Sequence, residues 1–371
     1  MYSHTSQTQR FVPLGCEAQV IRGSLMTVIE SSTSLDAGVM KKSSRIQVSR
    51  GMKTMIAALV VLFLFCKIFV PDSTSKGAVL GMLPFAAVLA IIALGQTLVI
   101  QQGGIDLSVA GSVSLAVVYV TRLPQQHDSQ LWKAVLVALG SAVVVGVING
   151  ILISRIGINA IVATLGVSSL EYAVIMAISQ GSPRRTTNLL NHIAANLTLG
   201  IPNSAIFAVL ATIMVTLFLK RSVSGRRFEA VGANSHAGFA AGLKVKRHQI
   251  SAYIWAQILY CLAGILLAGI LTQPTAYQGD SLVFPSVTVV VLGGTSLLGG
   301  RGFPAASAVA ALFLQQLNQM VLTLNVPFGV RTLVTAIALL VGIALYTIRW
   351  ELVRERFSAL NSRRSVGAAH V

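Results

Sequence analysis

The residues best placed to do chemistry in this chain are polar groups set at helical spacing inside apolar segments. Thr164, Ser168 and Glu171 fall four and three residues apart, Tyr253, Gln257 and Tyr260 repeat that spacing, and Gln315, Asn318 and Gln319 cluster in a third segment. Residues three and four apart share a helix face, and lipid penalises exposed polar groups. Each stripe therefore marks either a seam that hydrogen-bonds neighbouring helices or the wall of a path for a solute. Hydroxyls, amides and a single acid suit a neutral hydroxylated solute better than an ion. In Gly103-Gly104-Ile105-Asp106-Leu107-Ser108, Asp106 or Ser108 caps the helix that follows by accepting its free amide hydrogens, or Asp106 is a cation or substrate site inside the membrane. A position at a helix start near the surface favours the cap. Glu171 is expected to be structural rather than a coupling acid, and its partner is not legible in the sequence.

The chemistry that is missing is equally informative. There is no Gly-x-x-x-x-Gly-Lys-Ser/Thr loop to cradle phosphates. HExxH, GxSxG and His–Cys clusters are absent too, so no catalytic residue, cofactor or metal site is expected. The cysteines, Cys16, Cys66 and Cys261, are odd in number and far apart, neither a disulfide framework nor a metal signature. An energy source must be a partner protein or an ion gradient.

What positions these groups is an all-α scaffold in lipid. The chain of 371 residues is 54% hydrophobic and only 11% charged, with a mean hydropathy of +0.76, too little charge to cover a soluble surface. We read an integral membrane protein with about ten transmembrane helices, at 53–70, 78–101, 106–121, 132–153, 159–178, 203–220, 249–271, 285–298, 304–323 and 331–348. A span needs ~20 mostly apolar residues. The third and eighth are short or broken, because the glycine-rich stretches GGIDLS and GGTSLLGGRG strain a straight helix. Residues 1–50 read as a disordered cytoplasmic tail, 51–348 as the permease-like membrane domain, and 349–371 as a basic cytoplasmic tail. No cleavable signal peptide precedes the first apolar helix.

The net charge of +17 follows topology rather than nucleic acid. Basic residues gather in the amino-terminal tail, the loop 222–249 and the carboxyl-terminal tail, with Arg155 and Arg301 in short connections of the same side. Lys67, Lys76, Arg122, Lys133, Arg184, Arg185 and Arg331 fall at the outer side. By the positive-inside rule both termini and the central loop are cytoplasmic. Gly103-Gly104 and Gly293-Gly294 then lie on the cytoplasmic side, and their similar surroundings are either the residue of an internal duplication or coincidence.

The loop 222–249 is basic at both ends and small and apolar in its middle, where Ala237, Ala240 and Ala241 suit a short helix that Gly242 would end. Such a helix fits a groove on another protein. Gly232-x-Asn234-x-x-Ala237 followed by Gly242-x-x-Val245-Lys246-Arg247 resembles the cytoplasmic coupling segment of permease subunits of ribose-type monosaccharide ABC importers, departing from it at His236 and Gly238. Gly95-Gln96-Thr97-Leu98-Val99-Ile100-x-x-Gly103-Gly104-Ile105-Asp106-Leu107-Ser108 is similar to a stretch of the same family. So are Gly146-Val147-Ile148-Asn149-Gly150 and the run from Val291 to Gly302. Gly146 and Gly150 form a GxxxG that permits close helix packing in lipid.

The resemblance implies a bacterial inner-membrane permease that imports a sugar and is powered by a separate cytoplasmic ATPase docking on Asn234, Ala237, Ala240, Ala241 and Gly242. It further implies a soluble extracytoplasmic sugar-binding protein and a second permease copy, as homodimer or heterodimer. The alternative is an ion-coupled secondary transporter of a small polar solute, with Asp106 and Glu171 as coupling carboxylates.

Overall fold

The computed structural model describes residues 50–340, apart from 182–183, 328, 331, 335, 338 and 339. The expected tails, 1–49 of the amino-terminal one and 349–371, lie outside the described residues, as does most of the tenth span at 331–348. The elements are α1 Arg50–Phe69, α2 Lys76–Gln101, α3 Val109–Arg122, α4 Leu131–Ile151, α5 Ala160–Ser179, α6 Asn188–Ala195, a two-residue pair β1 Leu197–Thr198 and β2 Ile201–Pro202, α7 Asn203–Arg221, α8 Val223–Ala233, α9 Ser235–Ala240, α10 Val245–Leu271, α11 Val283–Leu292 and α12 Pro304–Thr323. Among the described residues seven helices (α1, α2, α4, α5, α7, α10 and α12) are long and apolar enough to cross a membrane.

Their ends follow local chemistry. The Ser75 hydroxyl accepts the Ala78 amide at the start of α2, and the Asn159 side chain accepts the Ile161 amide at the start of α5. Pro304 opens α12 at a position where a missing N–H costs nothing. Bulky apolar side chains such as Ile68, 72% exposed, stay on the outside, while hydroxyls, amides and acids are drawn inward. That is the reverse of a water-soluble protein.

The core is α2 crossed by α10. Both are buried over most of their length and run antiparallel, Gly95 meeting Ala256 while Gly104 meets Tyr253. Gly146 and Gly150 of α4 lie directly on Ile254 and Ile250 of α10, where a Cβ would come within 2.6 and 2.9 Å of the Cα atoms. The GxxxG is thus a close helix contact.

Two segments are half-length, and they correct the expected spans. The third begins at Val109, not 106, and is a helix of 14 residues. The eighth, expected at 285–298, ends at Leu292 after 10 residues, and 293–303 is a turn. At 1.5 Å per residue these rise about 21 and 15 Å, short of a ~30 Å hydrocarbon core. Backbone groups at the breaks find partners inside the protein: Leu107 N–H donates to Thr164 Oγ1 (3.0 Å), Gly279 N–H to Ser114 Oγ (2.9 Å) and Phe303 N–H to Thr295 Oγ1 (3.2 Å).

The half-helices sit in an inverted repeat. After α2 the chain turns back through 102–108, and α3 rises from mid-height towards the end where α2 began. After α10, which runs the other way, 272–282 returns to mid-height and α11 continues to the end where α10 began. The helix following each half-helix packs on the opposite central helix, α4 on α10 and α12 on α2. This architecture is common among transporters. The glycine pairs compared in the sequence do not mark it: Gly103-Gly104 follows a full-length helix, Gly293-Gly294 a half-length one.

Candidate translocation core and coupling surface

The stripes of α5 and α10 face one another across the start of α3. Gln257 stands 12 residues into the 27-residue α10, near its middle. Its Nε2 donates to Asp106 Oδ2 (3.1 Å) and Ser108 Oγ (2.7 Å), which turns its Oε1 towards the Ser112 hydroxyl. Ser108 Oγ donates to Asp106 Oδ1 (2.5 Å) and accepts from Asn149 Nδ2 (3.0 Å). Ser112 Oγ also lies 2.7 Å from Glu171 Oε1. A serine hydroxyl has one proton and cannot donate to both the Gln257 carbonyl and a Glu171 carboxylate. The Ser112 hydroxyl is thus shared between the two oxygens. All these groups are buried, so the chain places two acids, two amides and two hydroxyls in one network with no cation among them.

Thr164 serves the loop by accepting the Leu107 amide. Ser168 and Glu171 pack on Gly111, where a Cβ would come within 3.0 Å of Ser168 Oγ and 2.5 Å of Glu171 Oε2. Tyr253 places its hydroxyl against Gly104, and Tyr260 donates to Gln96 Oε1 (2.6 Å). Asp106 accepts the Ser108 amide (2.9 Å) and so closes the turn before α3. It does this fully buried at mid-height, not near the surface as expected. The third stripe lies elsewhere. Gln315, Asn318 and Gln319 belong to α12, which packs on α1, α2, α7 and α11, and the buried amide of that region is Gln316, reaching the Ser73 carbonyl at 3.4 Å. Sequence reasoning missed Ser112 and Asn149 as network members, and Gln96 as the partner of Tyr260. The spacing Ser108–Ser112 was the available signal for the first.

At the opposite end of α2 three segments converge. Gly300 N–H donates to the Gln101 carbonyl (2.9 Å), Gln102 Nε2 donates to the Phe228 carbonyl (2.9 Å), and Gly232 lies so close that a Cβ would collide with the Gln101 oxygen. Gly299, at φ +87°, lies 2.9 Å by the same measure from the Gly232 carbonyl. Gly103 (φ +82°) adjoins them, and Gly293 packs on Ser307 just above, followed by Gly294 at φ +88°. Both glycine-rich motifs and the central loop thus meet at one junction.

The short helix α9 rides on this junction. Asn234 Oδ1 accepts the Ala237 amide (2.9 Å) as its cap, Gly238 tucks against Val231 and Val245, and Gly242 ends it at φ +76°. Ala237, Ala240, Ala241 and Gly242 are exposed, beside Phe239 at 76%. Next to it, Leu298, 94% exposed, tips a turn closed by Ser296 N–H to the Arg301 carbonyl and Gly299 N–H to the Ser296 carbonyl.

The chain is similar to a ribose import permease protein of Bacillus subtilis, 32% identical over 77% of this chain and 90% of the relative. It is 31% identical to a galactofuranose transporter permease protein of Escherichia coli, over 78% of this chain and 87% of that one. With a fructose import permease protein of Bifidobacterium longum the identity is 30%, over 75% and 82%. No solved structure matches the chain. Residues 78–348 match the family described as branched-chain amino acid transport system / permease component, and the chain belongs to that family of multi-pass membrane permeases.

Proposed function

We propose that this chain is the membrane permease subunit of an ABC importer for a monosaccharide. The observation that carries the substrate class is the mid-height network of hydroxyls, amides and two acids with no basic group, whose acceptors suit a hydroxylated solute. An amino acid would bring a carboxylate into a region that offers it no cation. The relatives named for ribose, fructose and galactofuranose support the same class.

A separate cytoplasmic ATPase docks on α9, with Phe239 and Leu298 as apolar contacts and Asn234, Ala237, Ala240, Ala241 and Gly242 allowing close approach. A soluble binding protein delivers sugar to the other end, formed by 123–130 and 184–203, and a second permease copy completes the pathway. Both termini and the α8–α9 loop face the cytoplasm of a bacterial inner membrane, in accord with Arg221, Arg226, Arg227, Lys244, Lys246 and Arg247 at that end. None of the named relatives favours ion-coupled secondary transport. The test is co-purification with the ATPase followed by sugar uptake. A chain that carries sugar with no ATPase bound overturns the reading.

A further inference from the structure

The segment 272–282 is read most simply as a connection between helices, yet the structure returns it to mid-height. Gly279 N–H donates to Ser114 Oγ (2.9 Å), and Gly279 packs on the Ala110 carbonyl. Both partners lie in the first two turns of α3, beside Ser112, which joins Gln257 at the middle of α10. Asp280 therefore stands near the bilayer midplane. It is exposed, as are Tyr277 (47%) and Phe284 (74%) on the same face.

An accessible carboxylate at that depth does not face hydrocarbon, where an ionised side chain costs about 3 kcal/mol or more. No cation pairs with Asp280 among the described residues, where the one ion pair is Lys220–Glu229. Its face is left for water, for solute or for the second permease copy of the proposed assembly. Two aromatic groups flank it. The Tyr172 hydroxyl of α5 donates to Asp280 Oδ1, and the Tyr172 and Tyr277 rings lie 5.5 Å apart at 38°. Tyr277 is held in turn by its hydroxyl on Met176 Sδ (3.0 Å).

We propose that Tyr172, Tyr277 and Asp280 form the site that contacts the transported sugar in the pathway; this rests on the sugar reading above. A pyranose or furanose ring has an apolar C–H face and an edge of adjacent hydroxyls. The half-exposed Tyr277 ring offers the apolar platform. Asp280 offers two acceptor oxygens, one already fixed in place by Tyr172, so that vicinal hydroxyls donate to a preoriented carboxylate. The negative charge turns away anions; it would accept the ammonium group of an amino acid, but among the described residues no cation stands there for that solute's carboxylate.

The test measures uptake of D-ribose, D-fructose and D-galactose in cells expressing the chain with the ATPase and binding protein of its transporter, alongside membrane abundance. Asp280→Asn and Tyr277→Ala should each lower uptake about tenfold or more, and Tyr277→Phe should retain it, all at unchanged abundance. In a chain stripped of native cysteines, Asp280→Cys should react with a charged, impermeant methanethiosulfonate, and a transported sugar should slow that reaction. Val61→Cys, 64% exposed near the middle of α1 on a lipid-facing surface, should not react. The accessibility arm keeps the proposal testable if Asp280→Asn fails to reach the membrane. Full uptake by both functional variants, or an unreactive Asp280→Cys, overturns the site while sugar import by the parent chain still stands. A parent chain that carries none of the three sugars with its partners present overturns the sugar reading, and this site with it.

Discussion

The Gly300 amide hydrogen-bonds the Gln101 carbonyl at 2.9 Å, so the turn beneath α9 is bolted to the last residue of the central helix α2. Together with the Gln102–Phe228 hydrogen bond and Gly232 wedged beside it, this contact ties the surface segments to the buried core.

Gly232→Val should uncouple these parts. Its side chain would meet backbone, which cannot rotate away, and overpacking of this kind costs about 1–3 kcal/mol. We expect membrane abundance near normal, with sugar-stimulated ATP hydrolysis and uptake lost together. Normal stimulated hydrolysis in this variant would show that the junction does not transmit.

Ala241→Asp changes an exposed surface and should spare the fold, and Gly242→Arg adds only the strain of one side chain at φ +76°. Each places a bulky charge where close approach is needed, and an unpaired buried charge at an interface is strongly unfavourable. ATPase co-purification and uptake should fall away, whereas Lys246→Ala should be mild because exposed ion pairs contribute only ~0–1 kcal/mol. Retention of the ATPase by both helix variants would leave α9 a solvated connector.

Glu171→Gln should leave uptake and its pH profile between pH 6 and 8 close to those of the parent, since the amide oxygen can still accept from the Ser112 hydroxyl. Glu171→Ala should lower thermal stability by about 1–3 kcal/mol, the cost of leaving buried polar groups without a partner. A proton-dependent uptake that disappears in Glu171→Gln would make this residue a coupling acid.

Leu199→Cys and Ser224→Cys should label from opposite sides of intact cells, Leu199 from outside and Ser224 only after permeabilisation. The reverse pattern would invert the topology.

The long spans were legible because hydropathy alone delimits them: α1, α2, α4, α5, α7, α10 and α12 begin and end within a few residues of their expected places. The half-helices were not. Glycine and polar residues around Asp106 and Gly293 signalled breaks, but composition does not say how deep a break lies, and the polar run Thr275–Ser281 looked like an outer loop. The stripes on α5 and α10 gave the faces that meet, because spacing fixes a face. Spacing does not fix its partner, and the equally regular Gln315, Asn318 and Gln319 belong to a different helix packing. The helix α6 and the two-residue strand pair carried no signal distinct from an ordinary polar connection.

The inverted repeat has a thermodynamic consequence. Two antiparallel units with the same architecture can trade roles, so that the arrangement open to one face and the arrangement open to the other are related by a half-turn about an axis in the membrane plane and are similar in free energy. A pore built this way has little intrinsic preference for import over export. On the importer reading proposed above, direction is imposed from outside the bilayer, by a loaded carrier favouring one state and nucleotide turnover the other, and the isolated subunit is a reversible valve without a direction of its own.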